Sequence, residues 1–130
     1  MTPSEYILEQ FDERQAFLTD IHNTVIANDH TVSAMIESMM GKQMILYKER
    51  GIMKYGLAAV KNYMSLHCMP IYMNPALHAK YAKLLPVAKF QKGCINFTNA
   101  SEVPIDIIST LITDCYGISI ADMLENRKRK

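Results

Sequence analysis

Tryptophan is absent from the 130 residues, and glycine and proline occur only five times each. A nucleotide-binding loop needs several glycines in one stretch and a Lys-Ser/Thr pair at the following helix, and no segment offers that combination. Cysteine is also sparse. Cys68, Cys94 and Cys115 are widely separated, odd in number and without CxxC or CxxxH spacing, which disfavours a disulfide framework or a zinc site and predicts reduced, buried thiols. No apolar run approaches the ~20 residues of a membrane-spanning helix. The start MTPSEYILEQFDERQ carries acids where a signal peptide has a basic and then an apolar stretch, so the expected location is the cytoplasm. GxSxG is missing too, and His22, His30, His67 and His78 are scattered without zinc spacing. The expectation is a protein that binds rather than catalyses.

What is present is an ordinary globular composition, 49% hydrophobic and 21% charged, long enough for one domain with its own core. We place that domain at residues 1–125, with a basic tail at 126–130. The net charge of +1 hides segregation. Residues 1–40 hold seven acids against Arg14 alone, residues 41–92 hold nine bases against Glu49 alone, and residues 93–126 hold five acids and no base before the closing RKRK. Acidic ends therefore flank a basic middle.

Local signals give the order of elements. Thr2-Pro3-Ser4-Glu5 has the form of a capping box with an early proline, predicting a helix near 4–10. A second is predicted near 13–28 from Phe17, Leu18, Ile21 and Val25 at spacings of three and four. From Ser33 the pattern becomes short apolar runs (SAMIESMM, QMILY, IMKYGLAAV, YMSLHCM) bounded by glycine, lysine, asparagine or glutamate, as in an antiparallel meander. In the last run Met64, Leu66 and Cys68 share one face, and Tyr63, Ser65 and His67 the other. Pro70 ends that strand. Asn74-Pro75 then opens a helix with Leu77, Tyr81 and Leu84 on its apolar side. Gly93 precedes a final strand, CINF, and Pro104 leads a helix whose Ile107, Ile108, Leu111, Ile112 and Cys115 form an apolar stripe until Gly117. A short turn, SIADMLEN, precedes the tail. The fold class expected is α+β, an antiparallel β-sheet of about five strands covered by N-terminal and C-terminal helices.

Several strings resemble the YdhG-like family, also called domain of unknown function 1801: EYILEQFDERQAFLTDIHNTV, AAVKNYMSLHCMP, ALHAKYAKLLP and KGCINFTNASEVPIDIISTLI. They span about residues 4–116. KGCINF followed by VPIDII is the most specific, because the family shows a Lys-Gly-x-Ile-x-Phe strand and then a Pro-led helix. SMMGKQMILY departs from the Tyr-Gly-Met-Pro string of relatives. The resemblance implies a compact α+β domain, and some members are described as frataxin-like iron chaperones.

Three sets of side chains are candidates for function. Hard iron prefers carboxylate oxygens, and Glu5, Glu9, Asp12, Glu13 and Asp20 crowd the first helices, so weakly bound iron is the named cofactor. In the basic middle, Lys54, Lys61, His67, Lys89 and Lys92 form an alternative site for an anion or nucleic acid. The interleaved tyrosines needed to stack bases are few. Ten methionines could supply thioethers to Cu(I), but their spread over separate strands at apolar parity predicts core filling. Apolar strand faces also leave room for a homodimer.

Overall fold

The computed structural model describes residues 1–39 and 41–128. The elements in chain order are α1 (Pro3–Leu8), α2 (Asp12–Asn28), β1 (Ser33–Met39), β2 (Lys42–Glu49), β3 (Ile52–Ala59), β4 (Met64–Cys68), α3 (Met69–Met73), α4 (Pro75–Leu84), β5 (Lys89–Gln91), β6 (Cys94–Phe97), α5 (Ile105–Tyr116) and α6 (Ile120–Lys128). The strands make one antiparallel sheet in the order β1-β2-β3-β4-β6-β5. The α+β class and the helix-covered sheet are as expected. The strand count is six, because the three-residue β5 is too short to show alternation and gains its place only by pairing with β6. The expected tail at 126–130 is helical as far as Lys128, and its last two residues lie outside those described.

The predicted caps form. Thr2 Oγ1 accepts from the Glu5 backbone N–H while Glu5 Oε1 accepts from the Thr2 N–H, a reciprocal capping box that satisfies two donors at the start of α1. Asn74 Oδ1 accepts from the Leu77 N–H at the start of α4, and Pro75 stands in its first turn. Pro70 does end β4, but it also starts α3, a helix the sequence pattern hides. Leu84 is 43% exposed and leaves the apolar side of α4 to Tyr81, which is fully buried, and to the half-buried Leu77. The β2–β3 connection has Arg50 and Gly51 at φ 49° and 79°, the two positive values that a two-residue hairpin turn matched to strand twist requires.

The helices close one face of the sheet. Leu18, Ile21 and Val25 of α2 and Ile108, Leu111, Ile112 and Cys115 of α5 pack on Ile45, Tyr47, Tyr55, Leu57, Met64, Leu66 and Ile95. Each such aliphatic side chain contributes about 1.5–3 kcal/mol on burial, so this layer dominates the stability. Glu49, at the end of β2, secures α6: its carboxylate accepts from the Ser119 hydroxyl and the Ala121 N–H, a favourable place for negative charge beside orphan helix donors. No single helix among the described residues is long and apolar enough to cross a membrane, and the bent pair α5–α6 that passes by length and composition has its α5 stripe in the core.

Lys92-Gly93, the lysine-glycine pair before β6, is a packing device. A Cβ on Gly93 would stand 2.8 Å from Tyr72 Cβ and 3.0 Å from the Cys68 carbonyl oxygen, and the Gly93 carbonyl accepts from the Cys68 N–H at 2.7 Å. Glycine is needed there for close approach of the β4–α3 junction.

Candidate functional site

Register decides what the uncovered face carries. Cross-strand partners run Met35, Leu46, Gly56, His67, Cys94, Gln91 from β1 to β5. A neighbouring row contains Ala58, Ser65, Asn96 and Lys89. Since partners point to the same side, both rows lie opposite the helices. Met44, Leu46 and Ala58, with half-buried Met35, Met39 and Met53 around them, make a second apolar cluster built wholly from strand residues. The core-filling expectation holds for Met64 in the main core and for Met44 in this second cluster, against which Met35, Met39 and Met53 pack on the face away from the helices.

Three adjoining depressions mark this face. The largest, about 430 Å³, lies along the β5–β6 edge and is lined by Asn62, Tyr63, Lys89, Gln91, Asn96 and Glu102 among others. A second, about 320 Å³, has Met44, Ala58 and Val60 on its apolar side and reaches His67 and Cys94. These two share Tyr63, Gln91 and Asn96. A third, about 240 Å³, lies between Met39, Met53, Tyr72 and Lys92 and shares His67 and Cys94 with the second. The amides of the groove bind each other, Asn96 Nδ2 donating to Gln91 Oε1 at 3.1 Å. Glu102 is held by Thr98, whose backbone N–H and hydroxyl both donate to it, and this keeps its carboxyl below the usual range.

His67 and Cys94 are direct partners across β4 and β6, with Sγ 3.0 Å from Nδ1. Burial lowers the pKa of the imidazole. It also raises that of the thiol, with the Ser65 hydroxyl partly opposing it. Both shifts favour the neutral thiol and the neutral ring, the reverse of an activated thiolate-imidazolium pair.

The basic set does not come together. Lys54 is fully buried on the helix-covered side, 2.8 Å from Asp29 Oδ2, and is corrected from anion ligand to core charge. The cause is a bulge: Tyr47 faces Tyr55 and Lys48 faces Met53, so Lys54 is the extra residue, and a bulge re-aims the side chain it inserts. The ammonium approaches Asp29 outside hydrogen-bond alignment. Asp29 is in turn met by the Tyr55 hydroxyl at 2.7 Å and by the backbone N–H and hydroxyl of Thr31. Burial alone would raise the Asp29 pKa, but these donors and the ammonium outweigh it and hold the carboxyl below its ordinary value. Lys61 sits apart, against Arg14 and Phe11 in a shallow recess. Of the five, Lys89 lines the large groove, and Lys92 shares the third depression with His67.

The carboxylates expected to hold iron are dispersed as well. Glu5 serves its capping box, Glu9 is the C-cap of α1, Asp12 and Glu13 open α2 beyond the break, and Asp20 is exposed further along it. Among the described residues no three His, Cys, Asp or Glu side chains gather as a metal site. That separation is the physical reason for setting the iron set aside.

Sequence reasoning missed Cys94, Gln91 and Asn96. The alternation of CINF places Cys94 and Asn96 on one face, but their juxtaposition with His67 and Ser65 depends on β6 pairing with β4. Comparison with protein-family models, with curated proteins and with solved structures gives no match.

Proposed function

We propose that the chain is a YdhG-like binding module, without catalysis, that holds a small organic anion with an apolar body on the open face of its sheet. The observation that supports this reading best is the pair of contiguous grooves meeting at Tyr63, Gln91 and Asn96. Ligand sites are concave and mostly apolar with a few convergent polar groups. Met44, Ala58 and Val60 would take the apolar body, the Asn96 and Gln91 amides would orient it, and Lys89 at one end and Lys42 at the other would meet its charge. Glu102 would repel such an anion less than a free carboxylate does, because the Thr98 N–H and hydroxyl donate to it.

Titration with 8-anilinonaphthalene-1-sulfonate, a fluorescent anion with an apolar body, tests the proposal. Saturable binding is expected to weaken with added salt through Lys89 and Lys42, to fall in Lys89→Gln, and to be lost in Ala58→Phe, which fills the groove floor. Unchanged affinity in Ala58→Phe, with the fold intact by circular dichroism, would remove this face as the site.

A further inference from the structure

The methionines of the open face and the His67–Cys94 pair have so far no shared purpose. Gly56 joins them. It is the cross-strand partner of His67, and a Cβ on it would lie 2.6 Å from Met44 Cε, 2.9 Å from Met53 Cε and 3.5 Å from His67 Cβ. The missing side chain therefore lets two methionine tips fold in beside the strand position that carries His67. Met39 and Met44 line the depression that reaches His67 and Cys94 from one side, and Met39 and Met53 line the depression that reaches them from the other.

From this convergence we infer that His67 Nδ1 and Cys94 Sγ, with thioethers from Met39, Met44 and Met53 around them, form a binding site for a soft monovalent metal ion of the Cu(I) class. Thiolate and thioether sulfur select such ions, whereas hard iron and magnesium take oxygen. Charge points the same way. On binding, the Cys94 thiol releases its proton to solvent as Sγ bonds the ion, and one thiolate with one monovalent cation leaves the site neutral in half-buried, apolar surroundings. A divalent zinc ion would leave a positive charge there and lacks the further nitrogen, thiolate or carboxylate ligands that its tetrahedral sites use, since among the described residues no third His, Cys, Asp or Glu side chain joins His67 and Cys94. The donors stand 3.0 Å apart, closer than two bonds of about 2.0–2.3 Å at a wide angle require. Binding needs them to part slightly rather than to be gathered. The inference does not depend on an organic ligand in the groove.

The test uses the full reduced chain, anaerobic Cu(I) supplied in competition with bicinchoninate, and Ag(I) as a redox-stable probe for methionine-methyl NMR. One equivalent is expected to bind. The methyls of Met39, Met44 and Met53 shift and that of Met64, in the core, stays. Affinity falls more than about 100-fold in Cys94→Ser and at least about tenfold in His67→Gln, at or above the range seen when supporting groups of metal sites are removed. Zn(II) in equal amount leaves Cu(I) in place. Wild-type affinity in Cys94→Ser, displacement by Zn(II), or methyl shifts confined to Met64 would overturn the assignment. The methyl readout on the unaltered chain decides the matter even if a variant fails to fold.

Discussion

On the helix-covered face of the sheet, buried polar groups are locked into specific partnerships, whereas the open face is floored by flexible thioethers and small side chains. Asp29 binds Lys54, Tyr55 and Thr31; Tyr47 meets His22 Nδ1 at 2.8 Å; Tyr81 donates to Asp114, which also pairs with Lys80. Opposite them lie Met35, Met39, Met44 and Met53 beside Gly56 and Ala58. One side specifies a single arrangement. The other can repack around a guest, because methionine is unbranched and polarizable. The difference teaches that specific polar pairing and adaptable apolar packing have been divided between the two faces of the same strands.

The division is tested most severely at Asp29. Asp29→Ala strands the buried Lys54 ammonium and is expected to cost about 3–5 kcal/mol in urea denaturation, the range for removing one partner of a buried pair. Lys54→Met should cost clearly less, since Asp29 keeps the Tyr55 hydroxyl and both Thr31 donors. Equal losses in the two variants would mean that the ammonium, not the hydrogen-bonded carboxylate, organises the network.

Gly93 lies where the two regimes meet, at the β5–β6 turn beside Tyr72 and Cys68. Gly93→Ala forces a Cβ against the Cys68 carbonyl and Tyr72 Cβ, and we expect a loss of about 1–3 kcal/mol, as for overpacking. A neutral outcome in thermal unfolding would show that the β4–α3 junction gives way easily. On the open face Met44→Leu conserves volume and should cost less than about 1.5 kcal/mol. A larger loss would mean that this face is packed as tightly as the other.

The smallest effect expected is on pH dependence. Burial lowers the His22 pKa from its ordinary 6.5, so the folded chain resists the proton that the unfolded chain accepts. The stability is fully present above pH 6.5 and is lost as pH falls from there toward the lower folded value. His22→Gln should flatten that part of the stability profile. An identical slope in the variant would assign the proton uptake elsewhere.

Much of the architecture was legible because it is local. Thr2 with Glu5 and Asn74 with Pro75 announce helix starts through short-range hydrogen bonds, and Met64, Leu66 and Cys68 alternate with Ser65 and His67 because a strand turns its side chains with period two. The iron and anion sets read poorly for the opposite reason. Glu9 and Glu13 are four residues apart, but the break between the first two helices, itself expected from the sequence, parts them. Parity assigned Lys54 no special place, and a bulge turned it inward. The soft-donor set was scattered along the chain at 39, 44, 53, 67 and 94, and no spacing rule joins such positions.

The sequence by itself determined the longer elements, the caps of α1 and α4 and the two-sided character of β4, since each follows from interactions a few residues long, whereas α3 and β5 did not show in it. The tertiary structure alone decided that β6 pairs with β4, that Lys54 is enclosed with Asp29, and that the Cys94 sulfur meets the His67 ring across β4 and β6. Those outcomes depend on which strands lie side by side and on one inserted residue in β3, and both are settled by burial of the whole sheet against its helices rather than by any segment's own preference.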